Sequence, residues 1–100
     1  MGEIHLDDIG TRFEVTIKDD GVVVDISSAT TKEIIFKKPD GNTLTKNADF
    51  VNDGTDGKID YSTVSGDLNL VGIWNIQAKV VLAGGTWSSE VQEFQVFENL

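Results

Sequence analysis

Two stretches limit what this chain can fold into more than anything else in it. "RFEVTIK" at 12–18 and "IWNIQAKVVL" at 73–82 alternate apolar and polar residues with a period of two. Successive side chains on a strand point to opposite faces, so the alternation fits strands buried on one side and does not fit a helix. Phe13, Val15 and Ile17 fall on one face, with Arg12, Glu14, Thr16 and Lys18 on the other. Trp74, Ile76, Ala78, Val80 and Leu82 likewise oppose Asn75, Gln77 and Lys79. Shorter runs lie between: "VVVDI" at 22–26, "KEIIFKK" at 32–38, "NTLTKNADF" at 42–50 and "KIDYS" at 58–62. The last run, "TWSSEVQEFQVF" at 86–97, changes its apolar phase between Val91 and Phe94, which predicts a β-bulge or a strand that changes partner.

Turn chemistry separates these runs. "KPDG" at 38–41 has Pro39 to preset its dihedral, Asp40 to bond the backbone and Gly41 to accept positive φ. "DDG" at 19–21, "NDGTDG" at 52–57 and "AGG" at 83–85 repeat the device. "SSATTKEIIF" at 27–36 is too rich in β-branched residues for a helix and is read as a loop leading into a strand. "TVSGDLNLVG" at 63–72 is read as a connection with room for one short helical turn. Seven short strands joined this way predict an all-β chain folded as an antiparallel sandwich. Phe13, Val15, Ile17, Phe36, Tyr61, Trp74, Ile76 and Phe94 are expected to share its core.

A chain of 100 residues is expected to form one domain over 1–100, with residues 1–9 as an N-terminal arm. There is no cysteine, so no disulfide framework, thiolate zinc site or cysteine nucleophile is available. "MGEIHLDDIG" lacks the basic and apolar regions of a signal peptide, and Leu6 stands where a myristoylation motif wants Ser or Thr. No apolar run approaches the roughly 18 residues of a membrane helix. The formal net charge is −9, with eight basic residues against seventeen acidic ones, and only Lys37 and Lys38 are adjacent basic residues. Such a surface repels phosphate, so neither nucleic acid nor a membrane is expected as a partner.

No catalytic constellation is legible, and an enzyme is not expected. His5 is the sole histidine, which excludes a His-His metal pair and a serine-histidine-aspartate triad. Asp7 with Asp8, and Asp19 with Asp20, are neighbours in sequence and not across a cleft. "NDGTDGKID" offers Asn52, Asp53, Thr55 and Asp56 as oxygen ligands for calcium, but it lacks a downstream bidentate Glu and reads as a turn. No metal and no cofactor is expected. Trp74, in a strand of apolar even positions, belongs to the core. Trp87 follows "AGGT" and is expected to cap the core, while a partly exposed ring there could stack on a sugar or anchor an interface. Ile4 and Leu6 alternate with polar residues in the arm, expected to face inward with Glu3 and Asp7 outward. Such an arm pairs with its own sheet or adds a strand to a neighbour, with pairing at home favoured. Ile4, Leu6 and Trp87 are therefore the candidate interface residues.

"GDLNLVGIWNIQAKV" at 66–80 carries Leu68, Gly72, Trp74 and Ile76 in a pattern that resembles immunoglobulin-like sandwiches, here without their cysteines. The wider order of a strand, an Asp-Gly turn, "VDISSAT", a strand ending in "KPDG" and a late "GIW" strand is more specific. Over residues 7–97 it resembles small immunoglobulin-like proteins of tailed bacteriophages, in particular the N-terminal domain of phage baseplate upper proteins. The resemblance implies an immunoglobulin-like β-sandwich of about seven strands, acting as a non-enzymatic structural component of a virion, in its tail or baseplate. It implies docking to other phage structural proteins in many copies within a symmetric assembly, after synthesis in the host cytoplasm. In that family a long chain follows the module. Here the sequence stops after its last strand, so a stand-alone virion component or a small accessory protein is expected. The alternative is a decoration or fibre-associated module that binds host-surface glycans through exposed aromatics.

Overall fold

The computed structural model describes residues 4–99, so residues 1–3 of the arm, with the outward orientation expected of Glu3, lie outside the described residues. The described residues contain no helix and eleven strands: β1 (Ile4–His5), β2 (Arg12–Thr16), β3 (Lys18–Asp19), β4 (Val22–Val23), β5 (Thr31–Lys37), β6 (Thr43–Asn47), β7 (Asp49–Phe50), β8 (Lys58–Ser62), β9 (Gly72–Leu82), β10 (Gly85–Ser88) and β11 (Gln92–Phe97). The larger sheet runs β1-β11-β9-β5-β6, with β10 also on β9; a second runs β2-β8-β7, and β3 pairs with β4. All pairs are antiparallel except β1 with β11, where Ile4 faces Val96 and His5 faces Phe97.

The chain is all-β, as the alternation predicts, but seven runs become eleven strands for identifiable reasons. The run at 42–50 breaks at Ala48. Up to Asn47 it pairs with Glu33 of β5, and from Asp49 it pairs with Asp60 of β8, so the chain passes from one sheet to the other. Ala48 is buried at that corner and donates its N–H to the Lys32 carbonyl (2.9 Å). The valines of "VVVDI" do not form a core strand: Val22 is 68 % exposed. They belong to a small hairpin whose turn residues, Asp20 and Gly21, both take positive φ (50° and 79°). That is the type I′ geometry whose twist suits a two-residue hairpin. Residues 63–71 contain turns and no helical turn.

The phase change at 86–97 is a bulge. Ser88 faces Lys79 on β9, and Gln92 faces Ile76 of the same strand, so the partner does not change. Ser89 N–H donates to the Ala78 carbonyl (2.9 Å), and the Ser89 hydroxyl accepts the Ala78 N–H (2.8 Å). Glu90 and Val91 together then stand opposite Gln77, whose side-chain amide donates to the Ser89 carbonyl (2.9 Å). The hydroxyl thus takes over the acceptor role that the bulge withdraws from the backbone ladder.

The inner faces of the two larger sheets contribute to one core. Phe13 of β2 lies 4.7 Å from the Phe94 ring and 5.2 Å from the Phe36 ring, across the gap between sheets. Trp74 is fully buried, stacks on Phe94 at 5.7 Å and donates its indole N–H to the Leu70 carbonyl (3.0 Å). The eight residues assigned to the core from sequence all belong to it, with Tyr61 and Phe94 at its margin.

Tyr61, Asp67 and Lys46 close one end. The Tyr61 hydroxyl donates to the Asp67 carboxylate, which also accepts the Val64 N–H (3.0 Å) and pairs with Lys46 Nζ (3.2 Å). Burial alone would push the Asp67 carboxyl up, but these donors outweigh it and hold the group below the usual carboxylate range. Burial, and then the bond to Asp67, push the Tyr61 phenol up to about 12. A carboxyl held low in the folded state stabilises it above the ordinary carboxylate range and loses that contribution as pH falls. Asp67→Ala should therefore cost about 1–3 kcal/mol at neutral pH by leaving three donors unpaired. In urea titrations at stepped pH the penalty should begin to shrink as pH falls below about 4, where the unfolded chain's carboxyl takes up its proton, and go on shrinking until the folded carboxyl, held lower, takes up its own. A penalty independent of pH would contradict the assignment.

Candidate interface surfaces

The arm folds onto its own sheet. Ile4 is buried, Leu6 is half-buried against the core, and Leu6 N–H donates to the Phe97 carbonyl (2.9 Å). Asp7 N–H reaches the Leu68 carbonyl (2.8 Å), while His5 N–H donates to the Asp8 carboxylate (2.9 Å), turning the chain toward β2. The Asn99 amide donates to the Leu6 carbonyl (2.7 Å) and binds the far end of the chain to the same place. Strand alternation explains why Ile4 points inward: it pairs with buried Val96, and its neighbour His5 lies 6.0 Å from the exposed Phe97 ring.

Trp87 is half-buried and packed against the core, on the same side of the sheet as its partner Val80. Its ring edge lies over the β9–β10 turn, 3.3 Å from where a side chain on Gly85 would begin. This is the capping position expected of it. Of the three candidate interface residues, Ile4 is thus committed to the interior, whereas Leu6 and Trp87 present only part of their surface.

In "NDGTDG" the polar side chains bond within the loop. Asp53 accepts the Thr55 N–H (3.0 Å) and hydroxyl (2.7 Å), and Asp56 accepts the Asn52 amide (2.9 Å) and the Lys58 N–H (3.1 Å). These bonds lower both carboxyls. Among the described residues, no three His, Asp or Glu side chains come together in a group fit for a metal ion.

Sequence reasoning missed one exposed apolar surface. Ile73 on β9 is 48 % exposed on the outer face of the larger sheet, beside Val71 and Phe97, which are also exposed. Farther along that face an open groove of about 380 Å³ is lined by Ile35, Thr43, Gln77 and the bulge residue Val91. The signal was present: Ile73 occupies an outward position in a strand whose next three outward residues, Asn75, Gln77 and Lys79, are polar. An apolar residue at such a position is informative when others cluster with it.

No curated protein matches this chain. A family model does: that of the BppU N-terminal domain matches residues 5–98, from His5 in β1 to the residue after β11. The match takes in the arm, both larger sheets and the bulge, and it agrees with the resemblance carried by "VDISSAT", "KPDG" and "GIW". The chain belongs to the BppU N-terminal domain family, the domain of phage baseplate upper proteins.

Proposed function

We propose that this domain is a non-enzymatic structural component of a phage virion, held in the tail or baseplate by docking to neighbouring subunits. The observation that carries the reading is the family match over nearly the whole chain. The exposed apolar cluster of Val71, Ile73 and Phe97 supports it, because side chains of this size outside the core fit a surface that is covered in an assembly. The net charge of −9 speaks against nucleic acid as the neighbour. Two sheets facing across one core support an immunoglobulin-like sandwich as the fold, forming one domain over 1–100. Leu6 of the arm and Trp87 offer further, partly exposed contact surface, and repeated copies in a symmetric particle add avidity to a modest surface.

Ile73→Asp tests the docking. The side chain is on the outer face, so the variant should melt within a few degrees of wild type while its copy number in purified particles drops. Unchanged incorporation would contradict the reading. So would retention of the wild-type chain on host-surface glycans that is lost in Trp87→Ala, since that behaviour belongs to a glycan-binding module.

A further inference from the structure

Among the described residues, β2 ends its sheet, and no strand pairs with it on its outer side. The phase of the ladder is fixed at both ends: Thr63 N–H donates to the Thr11 carbonyl (3.0 Å), and Ile17 N–H to the Gly57 carbonyl (2.8 Å). In an antiparallel pair, hydrogen-bonded and non-hydrogen-bonded positions alternate. The odd residues of β2 therefore bond to β8, and the N–H and C=O groups of Arg12, Glu14 and Thr16 point away from it. The charges on this strand do not cover that edge. Arg12 reaches sideways to Asp60 of β8 (2.8 Å), and Glu14 is shared between Arg12 (2.9 Å) and Lys58 (3.8 Å).

A groove lies along this open edge. Its wider part, about 490 Å³, runs between Glu14, Thr16 and Asp20 on one wall and Ser88, Glu90 and Gln92 on the other. A narrower extension of about 100 Å³ continues over Phe13, Val15, Ile76 and Phe94. Among the described residues, β1 pairs with β11 at Val96 and Phe97. An uncovered edge above an apolar floor is the arrangement that accepts an added strand: backbone bonds supply affinity and alternate side chains enter the floor.

We propose that this groove is a strand-accepting site, in which an extended basic segment of another virion subunit pairs with the backbone of Arg12, Glu14 and Thr16. The proposal rests on the structural-component reading and names its docking mode. Charge selects the occupant. Glu14, Asp20, Glu90 and Glu93 line the groove against Lys18 alone, so a segment carrying Lys or Arg is favoured. A second copy of this chain is disfavoured, since pairing β2 with β2 about its centre sets Glu14 against Glu14, and like charges directly opposite repel.

Glu14→Pro removes an N–H that faces the groove and contributes nothing to the β8 ladder, and proline is tolerated on an edge strand in that orientation. Glu14→Gln keeps the N–H and removes the charge. The proline variant should keep the wild-type circular dichroism spectrum while its incorporation into purified particles falls about tenfold or more, the equivalent of one net hydrogen bond. The glutamine variant should fall less. Independently of any variant, amide exchange of wild-type residues 12–16 should be slower in particles than in the free chain. Wild-type incorporation of Glu14→Pro, or unchanged exchange, would overturn the groove proposal alone. A free-chain dimer broken by Glu14→Pro would also overturn it and make a second copy the occupant. Absence of the wild-type chain from particles would overturn both this proposal and the reading beneath it.

Discussion

Trp74→Ala should lower the free energy of unfolding by about 3–5 kcal/mol, a large part of what a domain of this size possesses. The side chain is fully buried, and three features add to the loss of its transfer free energy. Phe94 loses its stacking partner at 5.7 Å, and Phe36 loses an edge contact at 6.4 Å. The Leu70 carbonyl loses the indole N–H that it accepts. The cavity would open between two sheets pinned by their own ladders, so little collapse is available to refill it. Trp74→Phe restores most of the volume without the N–H and should cost distinctly less. Urea titration decides the matter, and a loss below about 1 kcal/mol for the alanine variant would contradict the packing described here.

Gly57→Ala should cost about 2–4 kcal/mol, far more than a single methyl group normally does. Gly57 has φ of +71°, which alone disfavours a side chain. An added Cβ would also sit 2.9 Å from the carbonyl oxygens of Ile17 and Val24. Those oxygens belong to a backbone held by the Ile17–Gly57 and Val24–Ile17 hydrogen bonds, so they cannot swing aside as a flexible side chain would. Gly21→Ala separates the two causes. Gly21 has nearly the same φ, +79°, with nothing within 4 Å of an added Cβ, so it should show only the dihedral cost of about 1 kcal/mol. Equal melting shifts for the two variants would mean that the close approach at Gly57 does not exist.

These two glycines show what was legible in the sequence and what was not. "DDG" and "NDGTDG" both read as turns, and both are turns, because φ preference is a property of a few adjacent residues. That Gly57 is wedged against residues 17 and 24 depends on contacts between distant segments, and no local pattern carries them. The same division runs through the strands. The alternation in "RFEVTIK" and "IWNIQAKVVL" gives the core faces directly, and the phase change near Val91 marks the bulge. "VVVDI" has three consecutive valines and no alternation, so it could not reveal that Val22 and Val23 lie outside the core. The sheet switch at Ala48 left only a small buried residue as its trace, and "NTLTKNADF" reads as one strand without it.

The candidate surfaces divide in a similar way. Ile4 and Leu6 alternate with polar residues, and that was enough to find the arm and to favour pairing at home, as seen in the β1–β11 ladder. The exposed cluster around Ile73 was not found, because apolar residues in a strand are assigned to the core by default. The open edge of β2 lay beyond sequence reading altogether. Whether a strand is central or terminal follows from the order of strands in the sheet, which local periodicity does not encode.

The central claim is that a member of the BppU N-terminal domain family with this sequence is part of a virion. Quantitative mass spectrometry of gradient-purified particles, with host proteins as the background, tests it most directly. The account predicts the chain in fixed stoichiometry with tail and baseplate proteins, retained through washing and released when the tail is dissociated. A chain present in the infected-cell lysate but depleted from particles to the host background would contradict it.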